Sequence, residues 1–232
     1  MLFRSHSIRR VQAGRGETIT IAGFSGVSGS SPYEQNGPNS VVKFNNPTDI
    51  TFDSSRMYLF VSDTGNHCIK RVEPDEGGVT RVIAGSDSGV SGYFNSDGAS
   101  SRFNSPRGIL IETSNRYLII CDTENQRIRR YDINTDTVTT IAGDGTVGHL
   151  DSSTATSAKF NYPIGIVSSS IGYAITEISG NYIRRYETNT HVSTMAGNGT
   201  AGYVDNATGT SARFNAPIGI AHDGSKIGRA HV

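Results

Sequence analysis

Carboxylate side chains stand at positions of this sequence where they could contact a ligand or an ion. Asp49 occupies a place that related segments of the chain fill with glycine, at positions 108, 165 and 219. Glu177 stands where two other segments carry an Asp-Thr-x-Asn element, beginning at Asp63 and Asp122. Because the Asp recurs, turn formation is favoured over catalysis for it. For Asp49 the alternatives are a ligand contact and a carboxylate that is solvated or bonded to a neighbouring segment.

Histidine and cysteine, the usual metal ligands, are scattered along the chain. The histidines at 67, 149, 191 and 222 fall in different loops and turns, so the sequence does not bring them together. Cys68 and Cys121 are the only two cysteines, without the spacing of a metal site, and we expect both to be small buried side chains. The sequence therefore predicts no metal, no cofactor and no catalytic residue.

One position carries three different side chains in equivalent segments: Cys68, Arg127 and Tyr182. Different side chains at the same position of a repeated backbone can create binding specificity. Neutral drift at a position that tolerates substitution would give the same pattern. Aromatic rings are favoured at protein interfaces. With Asp49, Glu177 and Arg127, we therefore predict these ring-bearing residues as binding residues: Tyr93, Phe94, His149, Tyr162 and Tyr203. An alternative for Tyr162 is packing beneath its neighbour.

Pairs of basic residues recur at 9–10, 70–71, 129–130 and 184–185, which raises the possibility of a basic stripe for nucleic acid. Adjacent residues of a strand point to opposite faces, so each pair would place one cation on each side of its sheet. Lys and Arg number 21, as do Asp and Glu, and the formal net charge is zero. The sequence therefore argues against a nucleic-acid partner.

Two phrases recur in fixed order and define the elements that position these residues. Phe-Asn-x-Pro begins at residues 44, 103, 160 and 214, and each copy is preceded by an Ala-Gly dipeptide, at 22, 84, 142 and 196. A fixed internal period indicates a repeated unit. The period exceeds the ~40–45 residues usual for a four-stranded propeller blade. Glycine-rich loops at 85–103, 143–160 and 197–214 account for the surplus.

Four apolar, β-rich runs separated by short turns make up one unit, as at 107–111, 117–121, 127–131 and 137–142. Radial repetition of such sheets predicts an all-β fold, a β-propeller of four-stranded antiparallel blades. We expect the propeller to be incomplete in this sequence, with blades at about 44–85, 103–143 and 160–197 and partial blades at 8–23 and 214–224. Both kinds of loop, the interblade loops and the hairpin loops at Asp63, Asp122 and Glu177, should emerge on the same rim.

Three motifs in register resemble the NHL-repeat β-propellers. They are Pro-x-Gly-Ile on the first strand, Asp-Thr-x-Asn-x-x-Ile-(Arg/Lys)-Arg across the next hairpin, and a closing Val/Ile-Ala-Gly. The resemblance covers 8–224 and commonly implies six blades. Some members bind RNA, and the amidating-lyase relatives hold a metal with channel histidines. No histidine of this chain matches those ligands.

The end of the chain and its hydropathy add two expectations. We interpret 227–232 as a non-native tail, an in-frame translation of a sequencing-library adapter, and expect it to form no strand. No stretch approaches the ~18 apolar residues of a membrane span. The first residues lack the apolar run of a secretion signal, and the sequence assigns no compartment.

A binding module is the function that these patterns favour. A protein or a small ligand would bind the loop-rich rim of the propeller without being chemically changed. The alternative is a metal-dependent propeller enzyme of the lyase or lactonase type, which would need Asp49 and Glu177 to be neighbours or other acidic groups to cluster. RNA binding is a second alternative.

Overall fold

The computed structural model describes residues 6–24, 26–29, 37–76, 78–188 and 190–223, and the backbone of 227–230. Position 224, where the predicted propeller array ends, lies outside these ranges. Residues 231–232 of the predicted tail and residues 1–5 at the start of the chain also lie outside these ranges.

Three antiparallel sheets of sequential strands form the body of the molecule. Blade 1 contains β4 (Pro47–Asp53), β5 (Tyr58–Asp63), β6 (Cys68–Val72) and β7 (Val79–Gly85), and the short β3 (Gly37–Pro38) pairs with β7. Blade 2 contains β8 (Pro106–Ile111), β9 (Tyr117–Asp122), β10 (Arg127–Asp132) and β11 (Thr137–Ala142). Blade 3 contains β12 (Pro163–Ser169), β13 (Gly172–Glu177), β14 (Tyr182–Glu187) and β15 (Val192–Ala196).

Two-stranded sheets flank the three blades. β1 (Ile8–Val11) pairs with β2 (Thr18–Ala22), and β16 (Gly219–His222) pairs with β17 (Ile227–Ala230). The expectation that the last residues form no strand is therefore wrong for 227–230, because their backbone continues a hairpin from β16. The non-native origin of 227–232 stays a prediction.

The first strands of successive blades lie side by side, as a propeller requires. At Gly108 an added Cβ would lie 2.3 Å from the carbonyl oxygen of Ile164, and at Gly165 it would lie 2.3 Å from that of Ile218. Glycine is needed here because the neighbouring backbone leaves no room for a side chain. The predicted fold class, an all-β propeller with four-stranded antiparallel blades, is confirmed.

The apolar core lies between neighbouring blades, where the phenylalanines of the first three Phe-Asn-x-Pro phrases are fully buried and the fourth, Phe214, is 9% exposed. Phe160 packs among Ile128 and Ala142 of blade 2 and Ile175 of blade 3, and Phe103 packs in the same way between blades 1 and 2. Both cysteines are buried, and burial raises the pKa of each thiol well above its usual range. They are inert packing groups, as the sequence predicted.

The interblade loops do more than connect the blades. After leaving one blade, the loops at 85–103 and 143–160 run along the outer strand of the next, where the Val138 N–H donates to the Ser96 carbonyl (2.7 Å) and the Val192 N–H to the Ser152 carbonyl (2.9 Å). These bonds cover part of an otherwise open sheet edge. The extra length of each repeat is used for this purpose.

Candidate functional site

A buried carboxylate organises each hairpin between the second and third strands. In blade 2, Asp122 Oδ1 accepts the N–H of Asn104 (2.8 Å), while Oδ2 accepts from Asn125 Nδ2 (2.8 Å) and Arg129 Nη1 (2.7 Å). Burial raises the pKa of Asp122, and Arg129 is the largest opposing influence. The residue is a structural anchor for the hairpin and for the Phe-Asn-x-Pro phrase above it.

The same acid–cation pair recurs in all three blades. Asp63 pairs with Lys70 (2.7 Å), Asp122 with Arg129 (2.7 Å) and Glu177 with Arg184 (3.0 Å), and all six side chains are fully buried. Each cation is the first member of a basic pair, and the second members, at 71, 130 and 185, are half-buried. These three pairs thus divide between opposite faces, as predicted, whereas both arginines of the pair at 9–10 are exposed. The sequence reasoning missed the buried pairs, although the constant spacing of seven residues was a signal.

The buried arginines of blades 2 and 3 also fasten the interblade loop that precedes each of these blades. Arg129 Nη2 donates to the Phe94 carbonyl (2.9 Å) and to Asn95 Oδ1 (2.7 Å). Arg184 Nη2 donates to the Leu150 carbonyl (3.1 Å) and to Asp151 Oδ1 (2.7 Å). One guanidinium therefore joins the hairpin, the sheet and the loop into one rigid unit.

A second set of bonds joins each hairpin to the next blade. A side chain in the left-handed region ends the hairpin loop and accepts the backbone N–H at the third position of the following Phe-Asn-x-Pro phrase. His67 Nδ1 accepts from Ser105 (3.0 Å), Gln126 Oε1 from Tyr162 (2.7 Å) and Asn181 Oδ1 from Ala216 (2.9 Å). Residues of three different types make this bond, because each carries a side-chain acceptor that reaches the same backbone N–H.

We call the surface built in this way the loop rim: loop segments 92–95, 148–151 and 202–205 with hairpin loops 63–67, 122–126 and 177–181. Hairpin and loop lie together, since Asn125 Nδ2 donates to the Gly92 carbonyl (2.7 Å). This agrees with the expectation that both kinds of loop emerge on one rim. The second half of each interblade loop then leaves the rim and follows the outer strand, which was not expected.

Two stacked pairs lie at equivalent places on the loop rim. The Arg127 guanidinium lies 3.8 Å from the ring centre of Tyr93, and the His149 and Tyr182 rings lie 3.8 Å apart. Tyr93 is 44% exposed and Phe94 57% exposed. Tyr203, at the equivalent place in the third loop, is 71% exposed, and its hydroxyl accepts from Asn215 Nδ2 (3.2 Å). The position that varies between repeats, occupied by Arg127 and Tyr182, thus supplies the side chain that packs against the exposed ring of the loop.

The remaining predicted residues lie elsewhere. Asp49 accepts the N–H groups of Ile50 and Ile109 (both 2.9 Å), so it bonds to the neighbouring blade, and burial raises its pKa. Glu177 is buried beneath the loop rim. Tyr162 is half-buried, with its backbone N–H held by the preceding blade. In the part of the chain that the structure describes, Asp49 and Glu177 share no hydrogen-bond partner.

The described residues provide neither a metal-ligand cluster nor a membrane-spanning helix. Those residues contain no group of three His, Cys, Asp or Glu side chains placed to hold a metal ion. Among the same residues, no helix is long and apolar enough to span a membrane.

Comparison with known proteins supports the repeat resemblance. No family model matches the chain. It is 37% identical over 117 residues to NHL repeat-containing protein 2 of Gallus gallus, which covers 50% of this chain and 15% of that protein. The human NHL repeat-containing protein 2 is 31% identical over 99 residues, 43% of this chain and 13% of the relative. The chain therefore matches a small part of much longer proteins, and the predicted resemblance to NHL-repeat propellers is confirmed.

Solved structures share the fold at low sequence identity. An auxiliary nutrient binding protein from Bacteroides ovatus gives a TM-score of 0.63 at 16% identity, over 91% of this chain and 46% of that one. A catalytically inactive virginiamycin B lyase from Staphylococcus aureus gives 0.56 at 17% identity, over 97% of this chain and 56% of the lyase. At these identities the likeness concerns the fold alone.

Proposed function

We propose that this NHL-repeat-like propeller array is a binding module that holds a segment of a protein partner across its loop rim. The observation that carries the proposal is the repeated display of exposed rings and apolar side chains at equivalent places on three successive loops. These are Tyr93 with Phe94, His149 with Leu150, and Tyr203 with Val204. Side chains of this kind, spaced along one edge, suit a partner that extends over several blades.

Rigidity of the display supports the proposal. The loops before blades 2 and 3 are held by a fully buried guanidinium, so their tips do not have to be ordered when a partner binds. Avoiding that cost leaves more of the contact energy for affinity. The ring of Tyr93 is further fixed by its stacking on Arg127 and by the 3.0 Å bond of its hydroxyl with Thr140 Oγ1.

The two alternatives have less support in the described residues. A lyase or lactonase would need convergent carboxylates or metal ligands, whereas Asp49 is bonded into a blade interface and Glu177 into a buried ion pair. RNA binding by a basic stripe would need whole basic pairs to be exposed in successive blades. Lys70, Arg129 and Arg184 are buried, so each of the three blades offers only the partly exposed second cation of its pair. A small ligand on the loop rim stays compatible with the same surface and is one outcome of the test.

The test is photo-crosslinking in the longest soluble protein that carries this chain. A benzoyl-phenylalanine at position 94 or 203 should crosslink to the same partner, and one at position 135, on the opposite rim, should not. With that partner in hand, Tyr93→Ala and Tyr203→Ala should each weaken binding by more than about 1 kcal/mol if they are hot spots. Thr135→Ala and His191→Ala are the matched controls. Strong effects at 135 and 191 with none at 93 and 203 would place the binding face on the other rim.

A further inference from the structure

The acid–cation pair of blade 3 differs from that of blade 2 in one respect. Glu177 Oε1 accepts the Asn161 N–H (3.1 Å) and Arg184 Nη1 (3.0 Å), but the buried Oε2 has no partner. The corresponding oxygen of Asp122 accepts from Asn125. Gly180 stands at the place of that asparagine, and an added Cβ there would lie 2.7 Å from Glu177 Oε2. Blade 3 has therefore lost the donor that stabilises the ionised acid in blade 2.

The charges of the two clusters differ as well. In blade 2, Arg129 contacts one carboxylate, Asp122, and one neutral amide, Asn95. In blade 3, Arg184 contacts two carboxylic acids, Glu177 and Asp151. Asp151 is 45% exposed and also accepts from the backbone N–H and the hydroxyl of Thr194 (both 3.0 Å). One guanidinium balances only one ionised acid, and Asp151 is the better solvated of the two.

Other polar groups around Glu177 do not supply the missing charge. From the interblade loop come Asp151 and His149, and the pKa of His149 is lowered by burial and then by Arg184. From β14 come Arg184 and Tyr182, whose ring lies against Gly180. Lys159 offers only its carbonyl, which accepts from Arg184 Nη1 (2.9 Å). Arg184 is thus the single positive partner among the described contacts of this carboxyl group.

We propose that Glu177, Arg184 and Asp151 form a proton-controlled latch on the loop rim. Loop segment 148–151 stays fastened to blade 3 while the carboxyl group of Glu177 carries a proton, and it is released when that group ionises. A regulatory meaning for this latch rests on the proposed function, because the segment carries His149 and Leu150 of the binding surface.

The difference in the pKa of Glu177 between the fastened and the open loop determines how the fastening depends on pH. Burial raises the pKa of Glu177 from 4.5 to about 7 in the fastened state. Opening of the loop admits water and returns the pKa towards its ordinary value. The fastened state then binds more protons than the open state, so it is favoured at low pH. That advantage is lost as the pH rises towards 7, by at most about tenfold per pH unit.

Amide hydrogen exchange in the longest soluble protein that carries this chain can measure this without any partner. The Gly148 N–H donates to the Phe160 carbonyl (2.9 Å), and its counterpart, the Gly92 N–H, donates to the Phe103 carbonyl (2.9 Å). After correction for intrinsic exchange rates, we expect the protection of the Gly148 amide relative to the Gly92 amide to fall several-fold per pH unit between about pH 5 and 7. A ratio that stays constant would overturn the latch.

Two substitutions test whether Glu177 and Asp151 are the groups that form the latch. Asp151→Asn gives blade 3 the amide that blade 2 has in Asn95, and Glu177→Gln removes the titrating proton. Glu177→Gln should abolish the pH dependence of the ratio, and its persistence in that variant would overturn the assignment. Asp151→Asn should weaken the dependence without abolishing it, because burial is the larger cause of the raised pKa of Glu177 and Asp151 only adds to it; an unchanged dependence would remove Asp151 from the latch. His149→Tyr, which copies Tyr93, should leave the dependence in place, because His149 titrates with the opposite sign. A constant exchange ratio rejects the latch alone, and a rim that binds no partner rejects the proposed function alone.

Discussion

Arg129 is the residue on which the loop rim of blade 2 depends most. It makes bonds to Asp122, to the Phe94 carbonyl and to Asn95, and it is fully buried. Arg129→Met would leave the buried Asp122 charge without its cation, so we expect a loss of about 3–5 kcal/mol of unfolding free energy. Urea denaturation of the variant and of the unchanged protein measures this loss.

A double-mutant cycle separates the ion pair from the loop contacts. Asp122→Asn combined with Arg129→Met removes both charges and should cost less than the sum of the two single changes. Arg130→Met, on the other face of the same strand, is the control, with an expected cost below about 1 kcal/mol. Additive losses would show that the pair is not coupled in the way the geometry indicates.

His67 gives the interface between blades 1 and 2 a dependence on pH. Its Nδ1 accepts the Ser105 N–H, which requires an unprotonated nitrogen, and burial lowers its pKa below 6.5, against a smaller opposing effect of Asp63. The stabilisation is present above pH 6.5 and is lost as the pH falls through the lowered pKa. We therefore expect stability to drop between about pH 6.5 and 5 by an amount that His67→Gln removes.

Glutamine is the matched choice because Gln126 makes the same bond in the next interface. Thermal unfolding of both proteins across this pH range is the measurement. An equal drop in the variant would assign the acid sensitivity to other groups.

At the scale of elements, the hairpin threonines join blades to one another. Thr64 Oγ1 donates to the Pro106 carbonyl (2.6 Å) and Thr123 Oγ1 to the Pro163 carbonyl (2.7 Å), both buried. Thr123→Val keeps the shape but leaves that carbonyl without its donor, so we expect a loss of about 1–2 kcal/mol by urea denaturation. Thr139→Val, at an exposed position of β11, should change stability by less than about 0.5 kcal/mol. Equal effects at the two sites would contradict a role for the cross-blade bond.

Elements were predictable from the sequence where the cause is local. Alternating turns and apolar runs indicate strands, and the repeated glycine of the first strand indicates close approach of the backbone. The fastening of each loop by the following blade was not predicted, since Arg129 and Phe94 meet only after the blade has formed. Glu177 is an exception in the sequence, where Gly180 aligns with Asn125, yet the meaning of this change depends on the bond from Asn125 to Asp122, which only the structure shows.

For the whole molecule, apolar side chains on the first strand of blade 1 govern its behaviour in solution. Ile50 and Phe52 are each 45% exposed on β4. Repeat arrays are stabilised by contacts between neighbouring units, and uncovered faces promote association. We expect the isolated chain to aggregate or to be marginally folded, which light scattering after gel filtration would detect.

Substitution of the exposed face tests the cause. Ile50→Thr with Phe52→Thr should raise the soluble fraction, while Val147→Thr, an equally exposed residue of an interblade loop, should not. A soluble monomer that unfolds cooperatively and independently of concentration would contradict the expectation.

Because the loops at 85–103 and 143–160 are each fastened to the blade that follows, we expect the unit that duplicates or recombines intact to be a loop with its following blade. Duplication or exchange with boundaries just after Gly85, Gly143 or Gly197 would move Tyr93 together with Arg127 and Arg129, or His149 together with Tyr182 and Arg184. A boundary at the Phe-Asn-x-Pro phrase would separate each displayed ring from its support. New rim surfaces could therefore arise by exchange of intact modules, because each ring would be transferred together with the side chains that pack against it.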